Sequence, residues 1–315
     1  VKVPAGVTSV GEWAFRGCSR LLAVDFEGAP PTVGSEIFRE SAPTVYRLAD
    51  SQGWSATFGD RPVAILQQFF VPKGWTVIVD QIEMSRVVKQ GPGKLILEGS
   101  SSHRGGTAVD EGELVIRHSG ALGGGPLELR GDSVQVRLET QVELMVIQSL
   151  SFTPNSRLDI GLSRVYVPAG GYQSGPVIEM ILSGRSGGTW RGESGFTSRY
   201  AMDLSGRSVG YAFSGSGALQ MAVAAAGDTN LDGMLDSRDL VEISAGGAFG
   251  RGSQATWQKG DFNFDGVVDI RDMVAMQSTG LYGKGSYLPQ AETGSSLRVD
   301  PMFIFAALAH QADDE

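Results

Sequence analysis

The sequence predicts a mainly β protein of short stacked strands that ends in a small helical module built around two acidic loops. Three observations predict this fold class. Glycine makes up 44 of the 315 residues, about twice its ordinary share, and it favours turns over helix interiors. Short runs of Val, Ile and Leu recur between these glycines up to about residue 219. After residue 227, two nearly identical acidic segments follow each other at an offset of 33 residues.

The first segment, residues 1–66, repeats itself after 23 residues. A period in the twenties with one short strand per unit is typical of stacked repeats. Residues 15–21, from Phe15 through Cys18 to Leu21, resemble the F-x-G-C-x-x-L signature of BspA-type leucine-rich repeats, which implies the tail of such an array. We expect Cys18, the only cysteine, to be a small buried hydrophobe. The matching parts are Val1-Lys2-Val3 with Val24-Asp25-Phe26, Val10-Gly11 with Val33-Gly34, and Ala14-Phe15 with Ile37-Phe38.

The second segment, residues 67–222, contains short strands separated by glycine turns and shows no sustained helical period. Residues 91–129 resemble the autotransporter-associated β-strand repeat, with its G-x-G-x-L-x-L-x-G, G-G-T, G-x-L and A-L-G parts. The resemblance implies a parallel β-coil in which glycines turn the corners and apolar side chains stack from rung to rung. Trp190, between glycines, is a candidate sugar-stacking residue, but a core position is the favoured interpretation.

The third segment, residues 223–288, carries the two acidic loops. Each loop places oxygen-bearing side chains at positions 1, 3, 5, 9 and 12 and a glycine at position 6. This spacing is typical of a loop that wraps a hard cation such as Ca²⁺, with the position-7 carbonyl as a further ligand. The sequence therefore predicts two calcium ions. The predicted ligands are Asp228, Asn230, Asp232, Met234, Asp236 and Asp239 in the first loop, and Asp261, Asn263, Asp265, Val267, Asp269 and Asp272 in the second.

A short amphipathic run follows each loop, and no comparable helix precedes either one. Loop plus exit helix, repeated once, resembles the type I dockerin, a family that also has Asp at position 12. The resemblance implies a cohesin-type protein partner bound through the exit helices and loop positions 10 and 11. These are Ser237-Arg238 and Ile270-Arg271, and the change from Ser to Ile argues against two interchangeable orientations of binding.

Other kinds of site are not favoured by the sequence. A net charge of −9 without a basic cluster argues against nucleic acid as a partner, and the longest late apolar run is too short for a membrane span. Two G-x-S-x-G matches, around Ser186 and Ser208, lack the apolar helix that a nucleophile elbow requires. We expect His103, His118 and His310 to be isolated surface residues, and Asp110, Glu111 and Glu113 to form a solvated face.

These observations predict a secreted or cell-surface repeat protein without catalytic activity. Its parts would be a leucine-rich repeat tail (1–66), a β-coil region (67–222), a dockerin-like calcium module (223–288) and a C-terminal tail (289–315). We expect a role in adhesion, surface display or assembly, with extracellular polysaccharide as a further candidate ligand. Two alternatives stay open: the C-terminal appendage of a carbohydrate-active enzyme encoded before Val1, and a calcium-stabilised structure with no protein partner.

Overall fold

The computed structural model describes residues 1–83, 85–140, 144–172, 177–203, 206–250 and 255–288. The chain divides into two compact units. Unit 1 consists of residues 1–199 and 214–220, and unit 2 consists of residues 200–213 and the chain from 221 onward. The described residues are mainly β, with a parallel β-solenoid in unit 1 and a few short helices. The predicted tail, 289–315, lies outside the described residues.

The first sheet of unit 1 joins the start of the chain to the solenoid without a break. Its main path is parallel throughout, and β6 (Thr57–Phe58) adds an antiparallel pair to β7 (Arg61–Phe70). The strands in order are β1 (Lys2–Val3), β3 (Ala23–Phe26), β5 (Thr44–Leu48), β7 (Arg61–Phe70), β9 (Arg86–Gln90), β11 (Thr107–Val109), β13 (Leu127–Leu129) and β16 (Leu150–Phe152).

The second sheet of unit 1 supplies the opposite wall of the solenoid. All its pairings are parallel, and buried side chains stack in register across it: Leu95, Leu114, Val136, Leu158 and Phe196. This is the predicted rung-to-rung stacking of apolar side chains. The strands in order are β19 (Gly195–Thr197), β17 (Arg157–Asp159), β14 (Gln135–Leu138), β12 (Glu113–Ile116), β10 (Lys94–Leu97) and β8 (Thr76–Val79).

The remaining elements are short. Two parallel pairs are β2 (Ser9–Val10) with β4 (Thr32–Val33) and β15 (Leu144–Val146) with β18 (Arg164–Val167). A tight turn joins the neighbouring strands β20 (Arg207–Phe213) and β21 (Leu219–Ala225). The helices are α1 (Val177–Arg185), α2 (Arg199–Asp203), α3 (Ser237–Gly246) and α4 (Ile270–Ser278), with 3-10 turns at Ser186–Gly188 and Trp257–Lys259. No helix of the described residues is long and apolar enough to cross a membrane.

The 23-residue repeat is visible in the strand register. Lys2 pairs with Asp25 and Ser9 with Thr32, each at an offset of 23 residues. The prediction for Cys18 was wrong, because its side chain is exposed. It follows Gly17, whose backbone is left-handed (φ +68°), and so lies on an outer turn. Assignment of these strands to the leucine-rich repeats stays a prediction, and so does the domain division, whose 66/67 boundary lies inside β7.

A buried charge cluster crosses the first sheet. Arg86 of β9 forms an ion pair with Asp25, in which Arg86 Nε lies 2.8 Å from Asp25 Oδ1 but the two atoms are not aligned for a hydrogen bond. Arg86 Nη2 donates a hydrogen bond to Glu128 Oε2 at 2.8 Å. Arg130 contacts Asp25 as well, and its Nε donates to Asp110 Oδ1 at 2.8 Å. Because β3 is three places from β9 and five from β13, the sheet must curl until this face closes on itself.

Residues 150–222 overturn one expectation and agree with another. The segment contains the helix α1, whose buried residues Val177, Ile181 and Gly184 have helical spacing. It is only nine residues long and contains Ser183-Gly184, which hides its period. Gly184 is needed there because a Cβ would collide with the Phe196 carbonyl. Trp190 is 2 % exposed, which agrees with a core position and removes the sugar-stacking interpretation.

Candidate metal centre

The two acidic loops lie in unit 2, each directly before a helix. The first loop, 228–239, follows β21 and leads into α3. The second loop, 261–272, follows the 3-10 turn at Trp257–Lys259 and leads into α4. Each helix therefore begins at loop position 10, as expected for an exit helix. In the described residues no α-helix leads directly into either loop.

A capping box at each helix start fixes the last third of each loop. In the first loop, Asp236 at position 9 accepts a hydrogen bond from the Arg238 N–H, and the Asp236 N–H donates to Asp239 Oδ2 at 2.9 Å. In the second loop, Asp269 accepts a hydrogen bond from the Arg271 N–H, and the Asp269 N–H donates to Asp272 Oδ2, again at 2.9 Å. The duplication in the sequence is thus also a duplication of conformation.

The position-12 and position-1 carboxylates close each loop on its own backbone. Asp239 Oδ1 accepts from the Thr229 N–H at 2.9 Å, and Asp272 Oδ1 from the Phe262 N–H at 2.8 Å. The position-6 glycines have left-handed backbones, which lets their N–H groups reach the position-1 carboxylates. These bonds are Gly233 N to Asp228 Oδ2 at 3.0 Å and Gly266 N to Asp261 Oδ2 at 3.1 Å.

Positions 3, 5 and 7 form successive side-chain turns. In the first loop, Asn230 Oδ1 accepts from the Asp232 N–H and Asp232 Oδ1 from the Met234 N–H. In the second loop the matching bonds run from Asp265 N to Asn263 and from Val267 N to Asp265. The Met234 and Val267 carbonyls stay predicted ligands.

Four carboxylates at positions 1 and 12 are buried without a basic partner among the described residues. Asp228, Asp239, Asp261 and Asp272 are each 0–1 % exposed. Burial, together with the nearby Asp239 and Asp232, raises the pKa of Asp228 to about 7. Burial also raises the pKa of Asp239 and of Asp261. A charged oxygen out of water is costly unless a cation or several donors face it, so this arrangement favours a bound cation.

The second loop contains an oxygen with no donor at all. Asp261 Oδ1 is buried and has no hydrogen-bond partner. In the first loop, Asp228 Oδ1 accepts from the Asp232 N–H at 3.2 Å, and Oδ2 accepts from the Tyr287 hydroxyl. Tyr287 Oη in turn accepts from the Ala225 N–H at 3.0 Å. Tyr287 was not predicted, since the residue 33 places earlier is Gln254 and the duplication ends there.

The donor set fits a hard cation, because every predicted ligand atom is an oxygen. The arrangement is not a finished metal site, since the described residues contain no group of three or more His, Cys, Asp or Glu side chains that could hold a metal ion as they stand. The position-5 and position-9 carboxylates are bound instead to arginines of their own loops. Binding a cation through the whole predicted set requires these carboxylates to leave the arginines.

The four predicted partner-binding residues are all on the surface. Ser237, Arg238, Ile270 and Arg271 are exposed, and Ile270 is 66 % exposed. Further exposed apolar side chains lie on the same helices at matching positions, Val241 on α3 and Val274 on α4. What the sequence did not predict is that both arginines contact the loop carboxylates.

The three histidines and the acidic residues near Asp110 have different surroundings. His103 is buried, contrary to expectation, and its Nε2 lies 3.0 Å from Thr107 Oγ1. Burial, helped by Arg86, lowers the pKa of His103 to about 4. His118 is exposed and His310 lies outside the described residues. Asp110 and Glu113 are held in ion pairs with Arg130 and with Lys94.

The G-x-S-x-G serines are also explained by the fold. Ser186 begins a 3-10 turn after α1, and Ser208 lies within β20. Neither serine therefore lies at the turn from a strand into a helix that a nucleophile elbow needs.

The fold defines a repeat-containing β-solenoid protein. Comparison with known families agrees: the model of the passenger-associated transport repeat matches residues 87–116, which cover β9 to β12. This match confirms the predicted autotransporter-associated repeat over residues 91–116 and begins one strand earlier, in β9. Residues 117–129 of the predicted repeat lie outside the match. It covers 30 of the 315 residues. No curated protein matches the chain. No solved structure matches it either.

Proposed function

We propose that residues 227–286 bind two calcium ions and form a docking module of dockerin type, carried by a non-catalytic β-solenoid scaffold outside the cell. The observation that carries the proposal is the set of four buried carboxylates at loop positions 1 and 12, one with a donorless oxygen. Bound calcium supplies the positive charge that these oxygens lack within the described chain.

The residues that would hold the ions are the predicted sets. They are Asp228, Asn230, Asp232, Asp236 and Asp239 with the Met234 carbonyl, and Asp261, Asn263, Asp265, Asp269 and Asp272 with the Val267 carbonyl. The chain's own part is to pre-order the loops: the capping boxes place positions 9 and 12, and the glycines at position 6 permit the reversal. Calcium binding would be coupled to the folding of these loops, because the complete ligand set exists only when they are folded.

Docking is supported by the exposed faces of the two helices. Large apolar side chains at matching positions, Val241 and Val274, lie in water next to exposed arginines. Such side chains are what a protein partner covers. The proposed partner is a cohesin-type domain, and the passenger-type repeat in unit 1 supports an extracellular or cell-surface location.

The proposal is tested with the intact chain. Calorimetry with calcium should give two ions per chain, and a panel of cohesin-type domains should contain one that binds with calcium but not with a chelator. Two calcium ions without any cohesin partner would favour the purely structural alternative. Absence of calcium binding would overturn the proposal. A catalytic domain in the reading frame before Val1 would instead favour the appendage of a carbohydrate-active enzyme.

A further inference from the structure

The arginine at position 11 of each loop spans two carboxylates of that loop. Arg238 Nη2 lies 3.1 Å from Asp232 Oδ2 and 2.8 Å from Asp236 Oδ2. In the second loop, Arg271 Nη1 lies 3.3 Å from Asp265 Oδ2 and Nη2 lies 2.8 Å from Asp269 Oδ2. The same contact therefore occurs twice, at positions 5 and 9 of loops that share only part of their sequence.

These contacts use the oxygens that positions 5 and 9 offer to a cation. Asp232 Oδ1 already accepts from the Met234 N–H, and Oδ2 faces Arg238. Both oxygens of Asp236 are within hydrogen-bond distance of Arg238 nitrogens. A cation and the guanidinium thus require the same atoms, and two positive charges this close repel each other.

We propose that Arg238 and Arg271 are internal competitors of calcium that weaken its binding at their own loops. Calcium binding then withdraws the position-5 and position-9 carboxylates from the guanidinium groups. This inference rests on the proposed calcium function, for which the buried, donorless Asp261 Oδ1 is independent support. It gives the arginines a role that does not depend on a protein partner.

The test measures calcium affinity of the intact chain in which Arg238→Gln and Arg271→Gln are combined. Loss of one positive charge a few ångströms from the ligand oxygens should tighten binding about five-fold per site at low salt. The helices should still form, because the Asp236 and Asp269 caps accept from backbone N–H groups that the substitutions leave in place. Thermal unfolding in chelator checks this.

Two further variants isolate the cause. Lys284→Gln is the control, because Lys284 is an exposed lysine of the same unit. Among the described residues Lys284 makes no ion pair with a loop carboxylate, so its removal should change the calcium affinity less than two-fold. Arg238→Lys with Arg271→Lys keeps the charge and should restore most of the weaker affinity. Calcium should also shift the Nε–H resonances of Arg238 and Arg271 in the wild-type chain.

The outcomes separate the two proposals. If the wild-type chain binds calcium and the glutamine variant binds it equally or more weakly, the arginines are not competitors, although the calcium function stands. Unshifted Nε–H resonances on calcium binding would lead to the same conclusion. If neither chain binds calcium, both proposals fail.

Discussion

The two units bury carboxylates in opposite ways. In unit 1, Asp25 and Glu128 face the guanidinium groups of Arg86 and Arg130, so negative charge meets positive charge inside the chain. In unit 2, the position-1 and position-12 carboxylates are as deeply buried, yet they meet only N–H and hydroxyl donors of the described residues. This difference is the basis of our proposal that unit 2 takes up positive charge from a bound cation.

The largest expected effect comes from opening the charge cluster of unit 1. Arg86→Met removes the fully buried guanidinium that Asp25 and Glu128 share and leaves only Arg130 beside them, so it should lower the free energy of unfolding by about 3–5 kcal/mol. Urea unfolding, with hydrogen exchange in β9 to β13, measures the loss. Arg117→Met is the control, because its ion pairs are exposed and contribute little. Equal stability of the two variants would contradict the account.

The stability of unit 1 should depend on pH through the protonation of His103. Its folded pKa of about 4 lies below its unfolded value of about 6.5, so the unfolded chain binds the extra proton first. Stability should therefore fall by roughly 2–3 kcal/mol as the pH drops from 6.5 to 4. His103→Gln should remove this part of the slope. A slope unchanged in the variant would show that His103 titrates normally.

Tyr287 tests how unit 2 holds its first loop. Tyr287→Phe removes a donor from the buried Asp228 and leaves the Ala225 N–H without its acceptor. In chelator the free energy of unfolding of unit 2 should fall by about 1–3 kcal/mol. Tyr282→Phe, at an exposed tyrosine, is the matched control and should have no effect. Similar losses in both variants would remove the role assigned to the hydroxyl.

Asp261→Asn should have the smallest effect on the stability of unit 2, and the direction of that effect depends on calcium. In chelator the amide removes a buried charge with a donorless oxygen while keeping an acceptor for the Gly266 N–H, so unit 2 should gain about 1 kcal/mol. In calcium the variant should instead be less stable than the wild-type chain. Asp132→Asn, at an exposed acid of unit 1, should do neither. A loss of stability in chelator would contradict the account.

Local patterns of the sequence predicted much of the fold. The 33-residue duplication predicted both loops and their exit helices, and the 23-residue period appears as strand register. Contacts between distant residues could not be predicted this way. Asp25 meets Arg86 across 61 residues and Arg130 across 105, and only the curl of the sheet brings them together.

The candidate site could also be predicted only where its residues follow a local pattern. Spacing identified the loop carboxylates, because each loop is contiguous in sequence. It did not show where the long Arg238 and Arg271 side chains point, since that depends on rotamers rather than on position. Tyr287 was missed because it returns to the first loop from outside the duplicated pattern.

We propose that unit 2, and not unit 1, takes up external positive charge. Hydrogen exchange of the intact chain during a calcium titration tests it most directly. Calcium should slow exchange in 228–246 and 261–278, and the change should be complete at two ions per chain. At a hundred-fold excess of calcium over the Kd, each site should gain about 2.7 kcal/mol of stability. Exchange around Asp25, Arg86 and Arg130 should not change. Loops that are indifferent to calcium, or protection confined to unit 1, would contradict it.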